Sequence, residues 1–548
     1  MCFISTATGL ALILSLLPAW ATWAFTAPNG GPFTRDFSAY VEQVMDEWKV
    51  PGLAIAVIDG DDVFTQAFGF AELPNIKATP ETLFFAGSTT KAMTAAALSH
   101  MIDTKNHSSL AGAGWATPIS SLIRDDFVVA GDEWATAHLT LDDAVSHRTG
   151  MAPHEYAWAR RSERGGEPLT IAAVVRRLRG LKLSAEPRTT WQYSHLMYVA
   201  LSHVIETLTG KWLGDHLRET IFGPLNMTAT YCDTQQALDA PQRLASGYHW
   251  DQVRRRYGLV DFDDVRPGSG AGFVISNVVD YAKWIKCLLH ESAPFSRQTH
   301  ADIKTPRMIA AREARSGPGE TLYGLGWQRK VAHGAAVYMH GGTEVAYATQ
   351  VFWLPEQGYG VVAMANVAAP GNAAEETIAW RLMEDKLRVS KEARFNISEH
   401  MRAAAEKEAR DMSNAVDMMY PTRPDPPLPP PVHATQLVGS YFDEGYGVLD
   451  IEEAKGRGKG KGALVARRDD MLFMYTLRFK HVSGGFWLLE VWYDDTDSMA
   501  AFWGGEFVVG VDGSVAGLMV QLGAVRGGGR VWFERNRTVQ AVSRRTQQ

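Results

Sequence analysis

Phe84-Phe85-Ala86-Gly87-Ser88-Thr89-Thr90-Lys91-Ala92-Met93 is the stretch on which the reading of this chain turns. Serine is favoured as a helix N-cap, and Met93, Ala97 and Met101 recur behind Ser88 at helical spacing, which predicts a helix over residues 89–103. On such a helix Lys91 falls one turn beyond Ser88 and on the same face. A serine hydroxyl is a poor nucleophile until a base takes its proton, and a neutral amine is such a base. Lysine ordinarily holds its proton up to a pKa of ~10.4. Burial and the positive end of a helix both disfavour the ammonium, so this location suits the chemistry. The plainer alternative is a capping serine beside an exposed lysine. Average composition supplies about two Ser-x-x-Lys tetrads in a chain this long. Ser88–Lys91 is the only one here, and apolar residues surround it.

Around that stretch lies a chain of 548 residues, 46% hydrophobic and 21% charged, in which 54 basic and 61 acidic side chains leave a formal charge of −7. These proportions exclude a disordered, collagen-like or disulfide-dense scaffold, and the length implies two or three domains. The mild acidity carries no basic footprint, so nucleic acid is not indicated as a partner. The absence of a Gly-x-Ser-x-Gly elbow denies an α/β-hydrolase its nucleophile. The absence of His-Glu-x-x-His or a tight histidine cluster leaves a zinc site without ligands. No metal and no organic cofactor is called for.

No charged side chain precedes Arg35. The apolar run at residues 9–17, then Pro18 and Ala19-Trp20-Ala21, reads as a secretory signal over residues 1–24, cleaved after Ala21 or Ala24. An uncleaved anchor is the competing reading, but the run is shorter than the ~18–20 residues a span needs. The expectation is a secreted protein with no stable membrane insertion after cleavage. Asn-x-Ser/Thr sequons at Asn106, Asn226, Asn396 and Asn536 are glycosylation candidates on that route. With Cys2 in the signal, Cys232 and Cys287 remain as either one disulfide or two buried thiols.

Seven of the eleven residues from Pro421 to Pro431 are proline. Such a run favours extended polyproline II and marks a linker at residues 421–433. It separates a first domain (residues 25–420), ending in an exposed charged helix over 392–412, from a β-rich tail (434–540). In the tail, strands are predicted at 447–451, 471–478, 485–493, 501–509 and 531–534, the makings of a small barrel or sandwich. In the first domain, residues 53–58 and 63–68 form one predicted hairpin, and 347–354 and 359–366 another. Helical patterns lie between them, including one over 196–208 stopped by Gly210. The fold class is therefore α+β: one antiparallel sheet flanked by helices, followed by a small all-β barrel domain.

Ala86-Gly87-Ser88-Thr89-Thr90-Lys91 resembles the nucleophile motif of the serine β-lactamase and penicillin-binding-protein-like hydrolases, in the branch holding AmpC-type enzymes, D-aminopeptidases and esterases. Further blocks follow in the family's order: Ser146-His147-Arg148-Thr149-Gly150, Trp191-Gln192-Tyr193-Ser194-His195, Gly268-Ser269-Gly270-Ala271-Gly272, Tyr323-Gly324-Leu325-Gly326-Trp327 and His340-Gly341-Gly342-Thr343. The resemblance spans residues 36–390. Tyr441 to Leu449, with Gly445-Tyr446-Gly447, resembles the lipocalin-like domain often appended to these hydrolases.

The resemblance implies that Ser88 is acylated by an ester, amide or D-peptide, with Lys91 assisting its deprotonation. Tyr193 is implied as phenolic base and acid, its pKa brought down by charge on Lys91. Backbone N–H groups of Ser88 and Thr343 are implied as the oxyanion hole. His195, His340, Gly341, Gly342 and Trp327 are implied as substrate contacts, the glycines by letting substrate approach their strand, and Trp327 with core packing as its alternative. His147 and Arg148 fit a structural role better than substrate contact. Two departures stand out. Tyr193-Ser194-His195 replaces Tyr-x-Asn, and His340-Gly341-Gly342 replaces Lys-Thr-Gly, removing a permanent cation. Both weigh against efficient β-lactam hydrolysis. Acyl transfer to a small-molecule acceptor and an inactive binding member of the fold remain alternatives to hydrolysis of a small-molecule or peptide substrate. The barrel is open to two readings, a lid beside the pocket or a stabilising appendage.

Overall fold

Leu53 to Ile58 carries no polar side chain, the pattern of a strand covered on both faces. The computed structural model describes residues 31–163, 166–252, 254–262, 264–311, 319–454, 463–493, 499–522 and 529–536. In it the strand Gly52–Asp59 is central to a nine-stranded antiparallel sheet. Among the described residues the strands run in the order Ile76–Lys77, Asp62–Glu72, Gly52–Asp59, Tyr359–Ala365, Tyr347–Leu354, Ala335–Glu344, Gln328–Ala332, Thr321–Tyr323, Met308–Ala311. Both predicted hairpins form, closing at the pairs Asp59↔Asp62 and Leu354↔Tyr359. They join edge to edge through Leu53↔Ala365 to Asp59↔Tyr359, so the two ends of the domain share one sheet.

Alternation along the central strand sorts its side chains between two layers. Leu53, Ile55 and Val57 share a core with the helices Arg35–Trp48 and Ala369–Lys386. Ala54, Ala56 and Ile58 face the opposite layer, which holds the helices Thr90–Thr104 and Val278–His290. The predicted helix over 89–103 is Thr90–Thr104, and the one over 196–208 is His195–Thr209, ended by Gly210 in the left-handed conformation at φ 66°. The charged helix at the end of the domain runs Ile397–Ser413.

The tail is a closed barrel of eight strands, sealed by pairing Gly439–Asp443 with Arg530–Arg535. The strand expected at 471–478 begins only at Tyr475. Residues 471–474 instead leave the barrel and dock on the first domain, where Met471 bridges Ala159 and the Leu472 N–H donates to the Trp158 carbonyl at 2.7 Å. The strands Gly439–Asp443, Leu464–Arg468 and Val515–Gln521, none of them among the predicted strands, complete the barrel. The proline run is tied to it by a 3.0 Å bond from the Leu428 N–H to Ser483 Oγ.

Cys232 and Cys287 are both buried free thiols, which sets the disulfide alternative aside. The expected signal segment lies outside the described residues, and all four sequon asparagines are exposed. Among the described residues no helix is long and apolar enough to cross a membrane. Because Ile55 is fully buried between sheet and helices, Ile55→Ala is expected to cost about 2–5 kcal/mol. The exposed control Val63→Ala on the neighbouring strand is expected to change stability by less than about 0.5 kcal/mol. Urea unfolding followed by circular dichroism checks both.

Candidate active site

Gly87–Thr89 forms a single 3₁₀ turn between the short strand Phe84–Phe85 and the helix Thr90–Thr104. Ser88 is therefore not the helix N-cap its residue type suggested; that position falls to Thr89. The turn is fixed from several sides. Thr89 Oγ1 donates to the Ala86 carbonyl at 2.9 Å and meets the Tyr281 hydroxyl at 2.8 Å. The Ala86 N–H donates to the Val274 carbonyl at 2.8 Å. Freed from capping, the Ser88 hydroxyl points to Lys91, whose Nζ lies 3.1 Å away.

Lys91 is fully buried. Its amine reaches the Ala271 carbonyl at 2.6 Å and His195 Nδ1 at 3.2 Å, and lies over the ring of Tyr193, 4.9 Å from the centroid. Burial drives its pKa well below the ordinary lysine value, opposed by the carboxylates of Glu344 and Glu155. Ala271 is held in place by its own block. The Gly270 N–H donates to Ser202 Oγ, and its carbonyl accepts from Thr94 Oγ1, both at 2.9 Å. The adjacent Ser269 takes the left-handed φ of 44°.

Tyr193-Ser194-His195 enters from the start of the helix His195–Thr209. His147 Nδ1 accepts the Ser194 N–H at 3.1 Å, so His147 orients this block from behind, as its structural reading required. Arg148 pairs with Asp142 and Asp143. The Tyr193 hydroxyl is buried, with no hydrogen-bond partner among the described residues, and the nearby Ser88 offsets only part of the rise that burial imposes on its pKa. The expected lowering by charge on Lys91 does not operate. Burial is the largest influence on the phenol and raises its pKa, so Tyr193 is held toward its protonated form.

The strand Ala335–Glu344 carries the remaining block. A Cβ on Gly342 would stand 2.1 Å from the Ala86 carbonyl oxygen and 3.2 Å from Ser88 N, and one on Gly87 (φ 51°) would stand 2.7 Å from Thr343 N. The missing side chain of Gly342 thus admits the nucleophile turn rather than substrate, and that of Gly341 faces Gln350. The same contact sets the Ser88 turn against the strand at Thr343. Asn372, which no motif flagged, pins the strand end. It accepts from Thr343 Oγ1 at 2.6 Å and donates to the Gly342 carbonyl at 2.8 Å.

His340 is not an open cationic contact. Its Nδ1 lies 2.6 Å from the Gly341 carbonyl and its Nε2 3.1 Å from the Tyr323 hydroxyl, so both nitrogens are engaged. Burial and the nearby Lys91 push its pKa down to about 4. Trp327 resolves to its core alternative, buried against Trp353 at 5.6 Å between ring centroids. The glycine of that block that matters here is Gly326, at φ 71°, where a Cβ would lie 2.5 Å from the Ala92 backbone. Two acidic residues, Glu155 and Glu344, also lie outside every motif. They are single carboxylates in loop and strand-end positions, and only the folded chain brings them to Lys91. Among the described residues no cluster of three or more His, Cys, Asp or Glu side chains is arranged to hold a metal ion.

An antiparallel sheet between helical layers, with Ser88 and Lys91 at the head of a buried helix and a glycine-rich strand against them, is the architecture of one hydrolase family. The chain belongs to the Beta-lactamase family, whose model matches residues 37–383. It is 35% identical over 513 residues, 93% of each chain, to the unguisins hydrolase of Aspergillus campestris. It is 25% identical to the D-aminopeptidase of Brucella anthropi over 376 residues, 67% of this chain and 64% of that one. A penicillin-binding protein homologue from Pyrococcus abyssi shares the fold over 91% of this chain and 99% of its own, with a TM-score of 0.57 at 19% identity. The D-amino acid amidase of Ochrobactrum anthropi aligns with 66% of this chain and 100% of its own, with a TM-score of 0.52 at 20% identity.

Chemistry that needs the neutral lysine should fail as pH falls through its depressed pKa. Glu344 raises that pKa, so Glu344→Gln is expected to move the acid limb of the profile to lower pH. The rate of serine labelling by a fluorophosphonate, measured across pH, reads the shift. A limb unmoved or displaced upward would exclude Lys91 as its source.

Proposed function

We propose that the protein is a serine hydrolase that opens amide bonds through an acyl-enzyme on Ser88. The observation that carries this reading is the 3.1 Å contact between Ser88 Oγ and a lysine amine that burial holds toward its neutral form. Lys91 Nζ takes the Ser88 proton as Oγ attacks the substrate carbonyl carbon. The resulting oxyanion is received at the backbone nitrogens of Ser88 and Thr343, where Gly87 and Gly342 let turn and strand approach closely. When the carbon–nitrogen bond breaks, the Tyr193 hydroxyl gives the leaving nitrogen its proton, and Lys91 restores the phenol. Water then attacks the acyl ester, losing a proton through the same groups, and releases the acid and free Ser88.

Two relatives support a substrate class. One at 35% identity across nearly the whole chain is an unguisins hydrolase, and another is a D-aminopeptidase. An amide bond adjoining a D residue in a peptide is the reading they support, with unguisins as the first compounds to assay. With both nitrogens of His340 engaged, the site offers no permanent cation there for a β-lactam carboxylate. For the location of the protein we keep the secretory route read from the uncharged N-terminal 34 residues. A mature chain beginning at Thr22 or Phe25 on N-terminal sequencing supports it, and one retaining residues 1–21 counts against it.

Ser88→Ala is expected to abolish both fluorophosphonate labelling and hydrolysis. Lys91→Met should lower the acylation rate by a factor of at least about 10². Intact-mass detection of the acyl-enzyme, together with turnover of paired D- and L-amino-acid amides, checks the mechanism and the preference. Labelling that survives Ser88→Ala would sink the serine reading, and an L preference would sink the substrate class.

A further inference from the structure

Among the described residues Lys91 Nζ has three hydrogen-bonding neighbours, and a neutral amine has two N–H groups and one lone pair to meet them. The Ala271 carbonyl, at 2.6 Å, only accepts and takes one N–H. The Ser88 hydroxyl at 3.1 Å and His195 Nδ1 at 3.2 Å divide what remains. If Nδ1 of His195 carries its proton, it donates to the lone pair and Ser88 faces an N–H, so the lysine cannot act on the hydroxyl. If the proton sits on Nε2, Nδ1 accepts the second N–H and the lone pair is left for Ser88. The tautomer of His195 therefore decides whether Lys91 is a base toward Ser88. An asparagine in this position would accept through its carbonyl without posing the choice.

Glu155 is what faces the other nitrogen. Its Oε1 lies 3.8 Å from His195 Nε2, and a carboxylate there attracts the ring proton to the Nε2 side. Trp158, three residues on, packs against the same imidazole in a tilted arrangement at 5.5 Å between centroids, and Tyr193 meets it edge-on at 5.0 Å. The loop that carries Glu155 and Trp158 is gripped by the barrel on both sides of the carboxylate. His154, in the left-handed conformation at φ 46°, bonds to the Tyr446 hydroxyl at 2.9 Å. The Tyr156 carbonyl accepts from the Tyr475 hydroxyl at 3.2 Å, and the Trp158 carbonyl accepts from the Leu472 N–H at 2.7 Å.

We propose that Glu155, held in place by the barrel domain, is a positioning residue that keeps His195 in its Nε2–H tautomer and so leaves the Lys91 lone pair directed at Ser88. The inference rests on the Ser88–Lys91 mechanism above and gives the barrel a part in it. Besides Glu155 and His195, the titratable groups around Lys91 are Glu344, Tyr193 and Tyr198, with His147 and His340 held neutral by burial.

A double-mutant cycle on the rate of fluorophosphonate labelling tests it. Glu155→Leu is expected to slow acylation about tenfold or more, in the range found when a residue orienting a functional histidine is lost. In the His195→Asn background, where no tautomer exists, the same change should cost less than twofold. Tyr446→Phe should follow the same pattern with a smaller loss. Nitrogen-15 spectra of histidine-labelled protein give a readout independent of activity. An acceptor-type Nδ1 on His195 in the wild type, converting toward a protonated Nδ1 in Glu155→Leu, is the expected result. Equal losses in both backgrounds, or a protonated Nδ1 in the wild type, would overturn the proposal. If His195→Asn fails to fold, the nitrogen spectra alone decide it. Labelling that persists in Ser88→Ala would instead remove the mechanism beneath it, a failure this cycle keeps separate.

Discussion

An amine carried on a four-carbon stem ordinarily keeps its charge in water, and the first domain is arranged to take that water away. Lys91 is fully buried between the Ala271 carbonyl, the Ser88 hydroxyl and the His195 ring. The cost of burying an ammonium is what pushes its pKa down. The opposing pull of Glu155 and Glu344 limits how far it moves. A stronger opposing charge would leave a protonated lysine that cannot take the serine proton. Withdrawal of both carboxylates would leave a base too weak to hold it.

Steric closeness supplies the second constraint. The nucleophile turn, the glycine-rich strand and the loop of Gly326 approach one another at distances that leave no room for a Cβ at Gly87, Gly342 or Gly326. This explains why glycines recur in motifs separated by more than two hundred residues. Their absent side chains let three pieces of backbone share one small volume around Ser88. Asn372, from the helix behind the sheet, holds the strand at that distance through bonds to both Thr343 and Gly342. The barrel contributes at longer range, by fixing the loop that faces His195.

Much of this was legible in the linear chain. The two hairpins, the nucleophile helix and the Gly210 stop all follow from local periodicity and turn chemistry, and each lies within a residue or two of its expected bounds, apart from the second strand of the first hairpin, which runs on to Glu72. The Ser88–Lys91 pair was visible because helical spacing places both on one face. Trp327 and His340 were harder to read. An indole in a glycine-rich turn has the same sequence signature whether it lines a pocket or packs on Trp353. A histidine gives no sign of having both nitrogens engaged. The strand expected at 471–478 was half wrong for a related reason: its apolar residues serve a contact between domains, which local pattern does not distinguish from a sheet.

By itself the sequence determined the class of fold and singled out Ser88 and Lys91 as a pair, because each rests on residues close together in the chain. The protonation states rest on what surrounds each group after folding. Tyr193 is held toward the neutral phenol because burial raises its pKa. Glu155 lies 3.8 Å from His195 in a segment whose neighbouring residues bond to barrel tyrosines some three hundred residues away. Desolvation and long-range contact are properties of the packed molecule, and only the tertiary structure decided them.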